Sequence, residues 1–141
     1  MKVLLLHYTH PEGYPPTFNA INCISNKVDH LTVLSTDTLP TKWNYNSNID
    51  LILLKGLHDR FAAMKRSKIQ KIKSYIEYNK TIFQLLTKND FDLLVIYDNI
   101  PFLFYILTSR FTSKKIKIWF HNHDVYPLSH YKKYSINWFA A

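Results

Sequence analysis

Five short apolar runs punctuate this chain, each the length of a strand, and stretches of helical periodicity fill most of the gaps between them. The runs are Val3 to Tyr8, His30 to Ser35, Ile49 to Leu54, Phe91 to Tyr97, and one that opens at Ile116. Short apolar runs bounded by turn residues are the pattern of strands buried on both faces. Strands alternating with helices at this spacing predict a doubly wound, Rossmann-like α/β fold, a parallel sheet with right-handed crossovers and helices on both faces. The order 3-2-1-4-5 follows if the switch point lies between the first and fourth strands. A chain of 141 residues suits one such domain.

The connections carry their own signals. Pro16 fits a first helical turn, and Phe18, Ile21, Ile24 or Ser25, and Val28 then recur at helical spacing over about 12 residues. Asp59 is the expected cap of a long helical region reaching about Lys88. Its apolar face is predicted at Phe61, Met64, Ile69, Ile72, Ile76, Phe83 and Leu86, with Arg66, Lys73 and Lys80 opposite. Lys65 interrupts that face, so a break near residues 65–67 is expected. After the fourth strand, Asn99 and Pro101 read as the cap and first turn of a helix. Its body from Phe102 to Leu107 is apolar all round and predicts a buried helix. A last helix begins near Tyr131 and is in mid-pattern at Ala141, so the sequence reads as the front of a longer polypeptide.

Composition narrows the classes. A chain that is 47% hydrophobic is too apolar for disorder, yet no run reaches the length of a membrane-spanning helix. The single cysteine, Cys23, excludes an internal disulfide, reads as a core thiol, and fits a reducing, cytoplasmic setting. The net charge of +8 favours an anionic partner. From Lys65 to Lys73 the chain holds five cations and no acid, which suggests peripheral attachment to an anionic membrane surface. Nucleic acid is not expected as a partner, because the aromatics interleave with the core pattern rather than forming a stacking platform. With only Gly13 and Gly56, a three-glycine dinucleotide fingerprint is absent.

In an open parallel sheet, ligands sit outside the carboxyl ends of the strands. The fifth run turns there from Ile116-Lys117-Ile118-Trp119-Phe120 into His121-Asn122-His123-Asp124. These residues, Glu12-Gly13 after the first strand, and Asp98-Asn99 after the fourth would border one crevice. His121 and His123, two apart on an extended segment, point to the same side and have the ingredients of a metal site or an acid/base pair. Ahead of the metal reading, the cluster reads as a polar substrate site.

Three segments carry a resemblance: Pro15-Pro16-Thr17-Phe18-Asn19-Ala20-Ile21, Phe91-Asp92-Leu93-Leu94-Val95-Ile96-Tyr97-Asp98, and the closing His123-Asp124. Together the pattern resembles the N-terminal, acceptor-binding domain of a GT-B glycosyltransferase of the retaining family-4 group, over nearly the whole chain. The resemblance implies a nucleotide-sugar donor, a hydroxyl-bearing acceptor (glycan or lipid-linked), no required metal or other cofactor, and a C-terminal donor-binding domain. It places His123 near the donor sugar with Asp124 beside it. Where that family usually has two adjacent glycines near the donor phosphates, this chain has Glu12-Gly13. Two other classes remain: a stand-alone flavodoxin-like binding or regulatory module, and a metal-dependent hydrolase built on His121 and His123.

Overall fold

The computed structural model describes residues 1–37, 43–55, 67–112 and 115–121. Among them the element order is β1 (Lys2–Leu6), a 3-10 turn (Pro11–Gly13), α1 (Pro15–Ser25), β2 (His30–Asp37), β3 (Ile49–Lys55), α2 (Lys68–Lys88), β4 (Leu93–Tyr97), α3 (Asn99–Ser109) and β5 (Lys117–His121). The strands form one all-parallel sheet in the order β3-β2-β1-β4-β5, as expected. β1 is central: Leu4 pairs with Thr32 on one side and Leu94 on the other.

Alternation along β1 builds both layers of the core. Val3 and Leu5 join Ile21 of α1 with Leu31, Val33, Val95 and Tyr97. Leu4 and Leu6 face the other way, toward Tyr78, Ile82 and Leu86 of α2 and Leu94 and Ile96 of β4. All four β1 residues from Val3 to Leu6 are fully buried, as a parallel strand covered on both faces requires. The short connections are tied by side chains. Asn48 Nδ2 donates to the carbonyls of Ser25 and Val28, at 2.8 and 3.0 Å, closing the carboxyl end of α1.

Four expectations meet the described helices. First, α2 is capped by Ser67, while the expected cap Asp59 lies outside the described residues. Ser67 Oγ accepts from Gln70 N at 3.3 Å and Gln70 Oε1 accepts from Ser67 N at 3.1 Å, a reciprocal capping box. This cap lies at the break expected near 65–67; residues 56–66, with Phe61 and Met64, lie outside the described part. Second, α2 buries Tyr78, Ile82 and Leu86, while Ile69, Ile72, Ile76 and Phe83 are exposed. At 3.6 residues per turn the two sets centre roughly 110° apart around the helix, and the sheet takes the side that carries Tyr78. Third, α3 is not wholly buried: it lies over β4 and β5 with α2 along one side, leaving Ile106 and Leu107 exposed. Fourth, Cys23 is exposed rather than a core thiol, because Thr17, Ile21 and Ser25 take the inner face of α1.

Candidate functional site

The carboxyl ends of β1 and β4 lie side by side where the chain changes direction across the sheet, and polar residues follow both strands. His7 comes directly after β1 and Asp98 directly after β4. Their side chains meet, with His7 Nε2 3.2 Å from Asp98 Oδ2. The contact sets a ring nitrogen against a group that, as a carboxylate, only accepts. The imidazole is essentially buried, whereas about a third of the aspartate side chain reaches solvent (32%). The pair therefore has a sheltered member and an open one.

His7 is held from several sides. Its backbone N–H donates to Leu34 O at 3.0 Å. Thr9 Oγ1 lies 3.1 Å from the same Nε2. Its ring lies 5.6 Å from that of Tyr14 and 6.0 Å edge-on to that of Tyr97. The next two carbonyls, of Tyr8 and Thr9, accept hydrogen bonds from the hydroxyls of Thr36 and Ser35 at the end of β2. Beneath them Tyr78 donates its hydroxyl to the Leu34 carbonyl at 3.3 Å. Burial pushes the Tyr78 hydroxyl well above the usual tyrosine range, with Tyr8 and Asp98 adding to the rise. His7 Nδ1 is buried and has no hydrogen-bond partner among the described residues.

Asp98 sits at φ 71° and ψ 163°, the one positive φ of a non-glycine residue among those described. That region is populated essentially by glycine and costs of order 1–3 kcal/mol for other residues. The conformation aims the carboxylate at His7 while the Asp98 N–H donates to His121 O at 3.3 Å. Asp98, rather than Asn99 as expected, is the cap residue of α3, and its side chain makes no capping bond. Asn99 opens the helix and is buried. The strain gives a stability test. Alanine is ordinarily better tolerated than glycine by ~0.5–1 kcal/mol, but at this position Asp98→Gly is expected to be more stable than Asp98→Ala by about 1–2 kcal/mol. Urea unfolding of the two variants measures this; an alanine variant as stable as the glycine one contradicts the strain.

The remaining candidates flank this pair. His121 ends β5 and stacks on Tyr97, with ring centroids 5.2 Å apart, so His7, Tyr97 and His121 form a row of rings along the edge. Glu12 Oε1 accepts from the Tyr45 hydroxyl at 3.2 Å; burial, reinforced by Glu12, pushes that hydroxyl far up. The amides of the 3-10 turn are engaged internally: Glu12 N donates to His10 Nδ1 at 3.3 Å and Gly13 N to His10 O at 3.1 Å. Prolines fill the first two positions of α1, so two of the amides that could hold a phosphate at this helix start do not exist.

The structure thus brings Asp98 together with Asn99 and His121 on one edge. Asn122, His123 and Asp124 lie outside the described residues. The sequence reading passes over His7, although its place directly after an apolar strand is the signal that singles out His121. Among the described residues no three His, Cys, Asp or Glu side chains gather as a metal site. Compared with known proteins, the chain matches no family model, and neither a curated protein nor a solved structure is significantly similar to it.

Proposed function

We propose that this domain is the acceptor side of a retaining glycosyltransferase that moves a sugar from a nucleotide-sugar donor to an acceptor hydroxyl. The observation that carries the reading is the His7–Asp98 pair, a strained and partly open carboxylate backed by a buried imidazole at the switch point. The strand order and the resemblance of the three sequence segments support it.

Asp98 accepts a hydrogen bond from the acceptor hydroxyl and orients its oxygen toward the anomeric carbon. His7, buried behind it, is a positioning residue that fixes the carboxylate. The bond from the anomeric carbon to the donor phosphate breaks, and the acceptor oxygen bonds to that carbon on the same face. The hydroxyl proton leaves with the nucleotide diphosphate. By resemblance, His123 and Asp124 stand at the donor sugar, and a second domain holds the diphosphate. Charge developing on that group is stabilised by donors already in place rather than by solvent reorganisation.

The test is an assay with a panel of nucleotide sugars on a protein carrying this domain with its donor-binding domain. Transfer with retained anomeric configuration is expected, and none from the 141 residues alone. An inverted product, or turnover by the isolated chain, contradicts the reading.

A further inference from the structure

Among the described residues, the outer face of α2 is an apolar feature that the sugar-transfer reading leaves unused. Ile69, Ile72, Ile76 and Phe83 lie there with 66, 55, 62 and 40% of their surface exposed. Two to three turns of β-branched aliphatic surface facing water are unusual in a helix whose other face already fills the core through Tyr78, Ile82 and Leu86. At 3.6 residues per turn Lys68 falls on one flank of the stripe, and Lys73 and Lys80, expected opposite it, fall on the other. All three lysines are exposed, and Glu77 is the only acid in the helix.

We propose that this face docks on an anionic lipid bilayer, with the four apolar side chains entering the interface and the flanking lysines meeting lipid headgroups. Charge decides the occupant. An apolar stripe alone suits any hydrophobic partner, but cations on both flanks of an apolar ridge match an apolar layer bordered by negative charge. Lysine stems can lie along the acyl boundary while their ammonium groups stay among the headgroups. The ridge is a single convex helix surface, which meets a deformable plane more readily than a shaped protein pocket. The proposal stands on the helix alone and does not depend on sugar transfer.

Co-sedimentation of the whole chain with vesicles of neutral phosphatidylcholine, and of phosphatidylcholine mixed with phosphatidylglycerol, tests it. Pelleting is expected with the anionic vesicles and should weaken from low to physiological salt. Lys73→Glu with Lys80→Glu is expected to reduce binding by at least about thirtyfold. Ile69→Ser, Ile72→Ser and Ile76→Ser together are expected to reduce it by on the order of a hundredfold. These positions are exposed, so the variants should keep the wild-type thermal midpoint, and that measurement accompanies the binding. Absence of binding to anionic vesicles overturns the proposal. Equal binding to both lipids, or binding that survives the serine variant, does so as well. A dimer in solution that the serine variant dissociates, with no vesicle binding, shows instead that the stripe is a contact between copies.

Discussion

Leu4→Ala is expected to lower the unfolding free energy by about 3 kcal/mol, within the usual range for a fully buried leucine. Leu4 sits on the central strand, between Thr32 and Leu94, with no exposed surface. Flanking strands pin the backbone on both sides, so little collapse into the vacated space is possible and the cavity cost remains. Ile76→Ala on the outer face of α2 should stay within ~0.5 kcal/mol, since 62% of Ile76 is exposed. Chemical denaturation of both variants measures the contrast. Comparable losses would mean that Ile76 is a core residue after all.

That contrast marks where reading the sequence stops. The strands and their order were legible, because each is an apolar run with polar punctuation. The helix over 68–88 was legible as a helix, but its inner face was not. It carries two apolar stripes, and the aliphatic one at Ile69, Ile72 and Ile76 outranks a stripe led by Tyr78 on hydrophobicity alone. What decides between them is tertiary: the Tyr78 hydroxyl finds the Leu34 carbonyl, so the larger side chain can be buried without an orphaned polar group. The Ser67–Gln70 capping box was legible in principle as a serine followed three residues later by glutamine.

The candidate site divides the same way. Asp98 and His121 were placed by their positions at strand ends, which is a local property. The partnership of His7 with Asp98 joins residues 91 positions apart in sequence and depends on the register Leu6↔Ile96. No pattern within either segment encodes that register. The positive φ of Asp98 is also invisible in the sequence, since the residue that would announce it is glycine.

The largest functional effect expected is at Asp98. Under the proposed function, in a protein carrying both domains, Asp98→Asn preserves shape and backbone but would replace a charged acceptor by a weaker neutral one at the acceptor hydroxyl. Loss of a contact strengthened in the transition state is worth about 3 kcal/mol, or roughly a hundredfold in kcat. His7→Gln, acting through Asp98, should cost less and should move kcat more than the KM for donor. His123→Ala should cost about as much as Asp98→Asn if, as the resemblance implies, it contacts the donor sugar.

The rate of sugar transfer by Asp98→Asn, set against wild type at matched thermal stability, tests the central claim most directly. The account predicts a fall of about a hundredfold in kcat with an unchanged melting temperature. A rate within about twofold of wild type, a difference under ~0.5 kcal/mol, would show that the strained aspartate at the switch point takes no part in the reaction.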